Sequence, residues 1–219
     1  MGPYSHIVIA SKLETTIRPD NLQEYYWGAV APDIRYLVTG MSRSETHIPV
    51  EKILDYQVQH PQLKAFLQGY LVHCLSDQFD LPLIVQQKFP FSLQKKKLTP
   101  QQCSIILEFY NIERVKHVQK TVSGRGNILL SELGIDGENA GKFAQAINRY
   151  ANAPSLESIV ELYQNLGLVG DDRIEKYWAA VQHFQSTWLK KNLILLGLQA
   201  GRVDREITTL VKSSLPAIP

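Results

Sequence analysis

The chain has 219 residues and a net charge of +2, from 23 Lys and Arg against 21 Asp and Glu. Hydrophobic residues make up 44% and charged residues 20% of the sequence, which excludes a disordered chain, a collagen-like fibre and a disulfide-stapled miniprotein. This near-neutral balance also predicts that the protein has no nucleic-acid partner.

The N-terminus has no basic segment followed by an apolar core, and no apolar run reaches membrane-spanning length. We therefore expect a cytoplasmic protein. Cys74 and Cys103 are expected to be free thiols, with one disulfide as the alternative. The length fits one domain over residues 1–219.

The dominant periodicity is helical, and no alternating run is typical of a strand. We predict an all-α protein of about eight helices. In chain order, these helices cover residues 5–13, 22–27, 62–79, 99–119, 138–151, 155–166, 171–199 and 202–213. Ser5 is the predicted N-cap of the first helix, and Pro32 breaks the chain after the second because it has no amide hydrogen. Residues 39–49, which carry His47, are predicted to form a loop.

A change of composition near residues 120–136 separates a metal-ligand core (1–120) from a C-terminal helical part (137–215). The C-terminal part contains one histidine, His183, and no clustered polar motif. Its predicted role is packing, or covering one side of a site.

Five potential metal ligands lie in the first 80 residues: His6, Asp33, His47, His73 and Asp77. His73 and Asp77 are four residues apart on the strongest predicted helix, so their side chains project from one face. An imidazole nitrogen and a carboxylate oxygen both bind zinc at about 2.0–2.2 Å, so this pair suits a divalent ion.

Each ligand also has an ordinary structural interpretation. A helical His-x-x-x-Asp pair is commonly solvated, Asp33 can form an Asx turn, and His6 can be a buried core histidine. The apolar neighbours of His73 favour pairing or a metal, because burying a histidine and a carboxylate without partners is costly. Asp80 is a spare ligand or a hydrogen-bond acceptor in this interpretation.

Four segments follow one another in the first 80 residues: Gly-Pro-Tyr-Ser-His-Ile at 2–7, Gly-Ala-Val-Ala-Pro-Asp-Ile at 28–34, Thr-His-Ile at 46–48 and Gly-Tyr-Leu-Val-His-Cys-Leu-Ser-Asp at 69–77. In this order they resemble the bacterial zinc-dependent phospholipase C family and its relatives, the trinuclear zinc nucleases. The Pro-Asp and Gly-Tyr-x-x-His-x-x-x-Asp segments are the specific parts of the resemblance.

The resemblance implies an all-helical fold in which Asp33, His47, His73 and Asp77 hold one zinc ion. It further implies that His6 binds a neighbouring ion bridged by Asp77, as a possible second site. The implied activity is metal-dependent hydrolysis of a phosphodiester or a phospholipid headgroup, with Asp33 as both ligand and catalytic group.

Two arginines and three lysines are candidates for contacts with such a substrate. Arg35 and Arg43 lie near the Asp33–His47 segment, and arginine makes paired hydrogen bonds to phosphate, although both residues also suit ordinary surface positions. Lys95–Lys97 can touch a membrane surface transiently or form a solvated loop. The aromatic run Tyr25–Trp27 fits core packing better than a substrate wall.

The sequence departs from the family pattern in three places. Family members use a mature N-terminal Trp as a ligand, whereas this chain begins Met-Gly-Pro. Leu83 stands where they have a histidine after the helical Asp, and no His-x-x-x-Glu follows at His117. We therefore expect a reduced member with one firm zinc position. Two alternatives stay open: a relative with a structural metal that acts as a binding module, and a helical interaction protein with a buried polar network.

Overall fold

The computed structural model describes residues 1–38, 41–88, 100–114, 127–165 and 189–216, together with residues 122, 175 and 179. Regular structure in these ranges is helical and includes no strand, so the all-α prediction is confirmed. The α-helices are α1 (Pro3–Ile17), α2 (Leu22–Val30), α3 (Arg43–Thr46), α4 (Val50–Gln59), α5 (Lys64–Ser76), α6 (Leu81–Lys88), α7 (Pro100–Arg114), α8 (Asn127–Glu132), α9 (Gly137–Asn152), α10 (Leu156–Asn165) and α11 (Leu189–Ser214). Ala31–Tyr36 and Pro61–Leu63 form 3-10 helices. Within the described ranges, we find no helix with the length and apolar character needed to cross a bilayer.

Helix α5 is the central element of the N-terminal part. Its residues 65–76 are all buried, and it contacts α1, α2, α4 and α11. A helix that is apolar on every side is stable only when neighbours cover all of its faces. The chemistry-bearing end of α5 is therefore fixed from several directions.

Helices α2 and α5 cross with their backbones in contact, because each has a glycine at the crossing. A Cβ on Gly28 would lie 1.9 Å from the Phe66 carbonyl oxygen, and one on Gly69 would lie 1.8 Å from the Tyr25 carbonyl oxygen. No side chain fits at either position. This close approach brings the end of α2 against the last turns of α5, where the candidate ligands lie.

The C-terminal part packs through amphipathic helices. Helix α9 is capped by Asp136, whose side chain accepts a 2.7 Å hydrogen bond from the Asn139 amide. Its buried residues recur at helical spacing and are Ala140, Phe143, Ile147, Tyr150 and Ala151. Helix α9 contacts the 3-10 helix Ala31–Tyr36, so the C-terminal part reaches the segment that carries Asp33.

Several sequence predictions need correction at helix ends. Helix α1 begins at Pro3 with Gly2 as its N-cap, so Ser5 lies inside the first turn and is not the cap. Part of the predicted loop 39–49 is helix α3, which begins with a capping box formed by Ser42 and Glu45. Helix α4 lies where no helix is predicted, although Val50, Ile53 and Leu54 recur at helical spacing; Ile53 is its buried residue.

Three further boundaries differ. Helix α5 ends at Ser76 rather than near residue 79, and helix α6 follows where no helix is predicted. Helix α11 continues through the predicted break between residues 199 and 202. Tyr110 of α7 packs against Gly201, and its hydroxyl oxygen lies 2.6 Å from where a Cβ would be, so a larger residue does not fit there.

The structure also bears on the predictions for the aromatic run and the cysteines. Tyr25, Tyr26 and Trp27 are buried, which confirms core packing, and both cysteines are buried free thiols. The expectations for Lys95–Lys97, His117 and His183 fall outside the described residues.

Candidate metal centre

The five predicted ligands meet where α1, α3, α5 and the 3-10 helix after α2 come together. Helix α1 contributes His6, the 3-10 helix contributes Asp33, and the C-cap of α3 contributes His47. Helix α5 contributes His73 in its last turn and Asp77 at its C-cap. Two groups in the described chain have the ligand atoms to hold a metal ion: His47, His73 and Asp77, and His6, Asp33 and His73.

The first group, called here the His47–His73–Asp77 triangle, has nearly the geometry of a tetrahedral site. The Nε2 atoms of His47 and His73 are 3.2 Å apart, and His47 Nε2 is 3.2 Å from Asp77 Oδ2. His73 Nε2 is 3.8 Å from the same carboxylate oxygen. A tetrahedral ion with ligand bonds of about 2.0–2.1 Å needs ligand atoms about 3.3 Å apart. Small side-chain adjustments would bring all three atoms onto one ion.

The helix crossing fixes the tautomer of His73. Its Nδ1–H donates a 2.8 Å hydrogen bond to the Ala29 carbonyl oxygen, which can only accept. The neutral ring therefore presents an unprotonated Nε2 to the centre. Burial lowers the pKa of His73 to about 4, with the nearby Asp77 acting in the opposite direction, so the ring is neutral at neutral pH.

Thr46 lies beside His47 Nδ1. The Thr46 hydroxyl is 3.4 Å from the Arg43 carbonyl oxygen and 3.2 Å from His47 Nδ1, so it can donate to the carbonyl oxygen and accept from His47 Nδ1–H. Burial also lowers the pKa of His47. In that tautomer of His47, the Nε2 atoms of His47 and His73, 3.2 Å apart, are both unprotonated, and a cation between them would remove their repulsion. In the other tautomer, His47 Nε2–H donates to Asp77 Oδ2, which is 3.2 Å away.

The second group, called here the His6 side, is looser. His6 Nε2 lies 3.5 Å from Asp77 Oδ1 and 4.0 Å from Asp33 Oδ2, and His73 Nε2 lies 4.0 Å from Asp33 Oδ1. The His6 and His73 rings stack with centroids 3.8 Å apart and planes 17° apart, so their Nε2 lone pairs lie in two nearly parallel planes. Lone pairs in separate parallel planes do not meet at one ion unless a ring turns.

His6 nevertheless points a free lone pair into the centre. The Ser76 hydroxyl donates to the His73 carbonyl oxygen, so it accepts the 3.1 Å hydrogen bond from His6 Nδ1–H. Among the described residues, the buried Nε2 of His6 has no hydrogen-bond partner. Burial, together with the neighbouring His73, holds the pKa of His6 well below its ordinary value. An unpartnered buried nitrogen of this kind is costly without a ligand.

Asp77 lies between the two groups. Its Oδ2 faces the triangle and its Oδ1 faces His6 and the Met1 amino group, which is 3.1 Å away. Burial acts to raise the pKa of Asp77, but the Met1 amino group and the surrounding imidazoles lower it well below its ordinary value. The pKa of Asp33 moves the other way, raised by burial and by the charge of Asp77. Asp77 is thus the more readily ionised of the two carboxyl groups.

The two candidate arginines lie beside the two carboxylates. Arg43 Nη2 is 3.0 Å from Asp77 Oδ2 and donates to the Asp77 carbonyl oxygen at 2.7 Å, while half of its side chain is exposed. Arg35 Nη2 is 3.8 Å from Asp33 Oδ1, and its side chain is largely buried. The centre therefore reaches the protein surface on the Arg43 side.

The structure does not bring Asp80 into the centre. It is exposed, and its carboxylate accepts a 3.0 Å hydrogen bond from the Leu83 amide at the start of α6. Leu83 is itself 48% exposed. Asp80 is a helix cap and not a spare ligand.

The orienting groups Ala29, Thr46 and Ser76 were missed by sequence reasoning. Thr46 and Ser76 adjoin predicted ligands, so their hydroxyls were a usable signal. The Ala29 carbonyl carries no side-chain signal, because its role depends on how α2 and α5 cross.

No protein-family model, curated protein or solved structure matches this chain. What the centre can do therefore follows from its own geometry.

Proposed function

We propose that this protein is a metal-dependent phosphoesterase, with zinc in the His47–His73–Asp77 triangle, related to the zinc-dependent phospholipase C family. One observation carries the proposal. The Nε2 atoms of two histidines and an ionised carboxylate oxygen converge with edges of 3.2, 3.2 and 3.8 Å. Nitrogen and carboxylate ligands in a small tetrahedral frame suit zinc better than calcium or magnesium, which take more oxygen ligands.

Three protein ligands are the usual number in a catalytic zinc site, since structural sites close the fourth position. A bound ion would supply Lewis-acid chemistry, lowering the pKa of a coordinated water into the neutral range and polarising a phosphoryl oxygen. The remaining contributions come from side chains of this chain.

Asp33 is the proposed catalytic residue. Its Oδ1 lies 4.0 Å from His73 Nε2, next to the triangle but farther away than a ligand edge. A carboxylate at that distance can hold a water by a hydrogen bond and accept its proton as the water attacks. Asp33 would serve as a further ligand if a second ion binds on the His6 side.

Arg35 and Arg43 are proposed to hold the phosphate. Arg43 adjoins Asp77 and is half exposed, so its guanidinium can turn from the carboxylate to an incoming anion. Arginine forms charge-assisted hydrogen bonds to two phosphate oxygens at once. The proposed substrate is a phosphodiester or a phospholipid headgroup, the latter reached by transient contact with a membrane surface.

The test is hydrolysis of bis(p-nitrophenyl) phosphate by the full chain loaded with Zn²⁺. We expect turnover that stops with a chelator, returns with Zn²⁺, and falls about 100- to 1,000-fold in Asp33→Asn. Asp55→Asn, an exposed carboxamide substitution on α4, is the matched control and should keep full activity. Zinc binding without any turnover, on this substrate or on p-nitrophenyl phosphorylcholine, would contradict the proposal.

A structural metal is the second candidate, and burial favours it. The side chains of His73, Asp77 and His47 are only 0%, 6% and 9% exposed. In that case, zinc removal would lower the melting temperature strongly while no phosphoester is hydrolysed at any metal loading. A protein that binds no metal at all would instead contain a buried polar network.

A further inference from the structure

The first turn of α1, which carries His6, is held by a carboxylate from a distant part of the chain. Glu108 of α7 is fully buried. It accepts hydrogen bonds from the Tyr4 amide at 2.8 Å, the Ser5 amide at 2.9 Å and the Ser5 hydroxyl at 2.5 Å. The Tyr150 hydroxyl of α9 donates a fourth, at 2.7 Å.

Glu108 takes the place of a missing local cap. The first amides of a helix have no partner within the helix and are usually capped by a preceding Ser, Thr, Asp or Asn. Here the N-cap is Gly2, which has no side chain, and Pro3 has no amide hydrogen. A negative charge at this end is also favoured by the helix dipole.

Gly2 is required for this arrangement. A Cβ at position 2 would lie 2.4 Å from the carboxyl carbon of Glu108. A capping side chain at position 2 would occupy the space that the Glu108 carboxylate fills, so the helix can have one cap or the other but not both.

The position of His6 follows from that of Ser5, the residue before it. The Ser5 hydroxyl donates to Glu108 and accepts a 3.1 Å hydrogen bond from the Asn111 side chain, so two hydrogen bonds join it to α7. His6 must place Nδ1 on Ser76 and Nε2 near Asp77 at the same time. Ligand positions tolerate shifts of about 0.5 Å, so a loosened first turn would misplace the ring.

We propose that Glu108 is a positioning residue for His6, and that with Tyr150 it makes the His6 side of the centre depend on the C-terminal part of the chain. The effect on metal binding rests on the proposed function, whereas the effect on the His6 ring does not. The triangle is held differently, by Thr46 and the Ala29 carbonyl.

The test compares Glu108→Gln with Asp204→Asn in the full chain. Asp204 is the matched control, because it is also buried and holds α1 from a distant helix, by pairing with Lys12. Lys12 lies well beyond His6 along α1, so this variant loosens the helix away from the ligand. Tyr150→Phe, which removes one of the four donors and keeps the carboxylate, serves where Glu108→Gln fails to fold.

The first readout is the pair of ¹⁵N resonances of the His6 ring in chelator-treated protein. Wild type and Asp204→Asn should show a protonated Nδ1 and a bare Nε2, and Glu108→Gln or Tyr150→Phe should show averaged signals from mixed tautomers. A folded Glu108→Gln protein with the wild-type His6 signals would overturn the proposal. Averaged His6 signals in Asp204→Asn would also overturn it.

The second readout is titration with Co²⁺ alone, followed by its visible spectrum. Co²⁺ binding on the His6 side is the binding step that His6→Ala weakens. We expect Glu108→Gln to weaken that step about 10- to 100-fold, and the His6→Ala/Glu108→Gln double variant to bind no more weakly than His6→Ala. Co²⁺ binding at the triangle is the step that His47→Ala abolishes. In Glu108→Gln its affinity should stay within about 3-fold of wild type, a smaller loss than removal of a group that supports a ligand directly would cause. Failure of wild type to bind Co²⁺ would contradict the proposed function, and the ring resonances would still decide the role of Glu108.

Discussion

The two sides of Asp77 differ in how tightly they are built. On the triangle side, Asp77 Oδ2 and two imidazole nitrogens lie 3.2–3.8 Å apart. On the His6 side, His6 Nε2 lies 3.5 Å from Asp77 Oδ1 and 4.0 Å from Asp33 Oδ2. The His6 and His73 rings stack with their planes nearly parallel. The triangle is shaped for one ion, whereas the His6 side needs rearrangement to bind another.

The difference follows from where the supporting groups come from. His47 is oriented by Thr46, its neighbour in the chain, and His73 by the Ala29 carbonyl across a glycine-lined crossing. His6 instead depends on a helix end held by Glu108, more than 100 residues away in the sequence. Local and backbone supports give close geometry with few adjustable parts.

The largest expected effect comes from His73→Ala, because His73 belongs to both groups. Loss of a direct ligand should weaken Zn²⁺ binding by more than about 100-fold, beyond the 10- to 100-fold typical of supporting groups. Competition titration with a chromophoric chelator measures this. Binding within 10-fold of wild type would show that the ion, if any, lies elsewhere.

The next largest effect is expected at the crossing of α2 and α5, which supports the ligands on both sides of Asp77. Gly69→Ala places a Cβ against the Tyr25 carbonyl oxygen, so α2 and α5 must separate, at a cost of about 3 kcal/mol in the free energy of unfolding. Urea denaturation measures it. Gly141→Ala is the control, because nothing lies within 4 Å of a Cβ there and helix propensity predicts a gain of up to about 1 kcal/mol. Equal effects at the two glycines would refute the close crossing.

Thr46→Val should separate the two sides. The substitution keeps the shape of this buried residue and removes the hydroxyl that lies 3.2 Å from His47 Nδ1. We expect Zn²⁺ binding at the triangle to weaken about 10- to 100-fold, as for other groups that orient a metal ligand. Calorimetric titration checks this, with Thr208→Val as the control, since Thr208 lies on α11 and bonds only its own helix among the described contacts. An unchanged affinity would mean that Thr46 does not set the His47 tautomer.

Arg43→Gln should have the smallest effect on the fold. A half-exposed ion pair contributes about 1 kcal/mol or less, so the free energy of unfolding should hardly change. Inhibition by inorganic phosphate should weaken about 10-fold, because a charge-assisted hydrogen bond is lost. Phosphate inhibition equal to wild type would remove Arg43 from the substrate site.

Much of the architecture was readable from the sequence, because it depends on local signals. The helical period identified α1, α2, α5, α9 and α10, and the spacing of His73 and Asp77 survives at the end of α5 even though Asp77 is its cap. Helix α4 was not predicted although its apolar residues recur at helical spacing, and α11 runs through a glycine that a tyrosine from α7 covers.

The centre was predictable in its ligands but not in its supports. His6, Asp33, His47, His73 and Asp77 are residue types with known ligand chemistry, and the structure gathers all five. Asp33 lies 4.0 Å from both His6 and His73, a position that depends on the 3-10 helix after α2 and that no local pattern predicts. The role of Glu108 depends on a contact across more than 100 residues, which no local pattern encodes.

The most direct test of the metal centre is metal content, by plasma mass spectrometry, of the full chain after dialysis against Zn²⁺ and removal of the excess. His47→Ala and His6→Ala are measured beside wild type. We predict at least one zinc per wild-type chain, loss of that ion in His47→Ala and its retention in His6→Ala. Wild-type protein without zinc, or zinc that His47→Ala retains in full, would contradict a metal site in the His47–His73–Asp77 triangle.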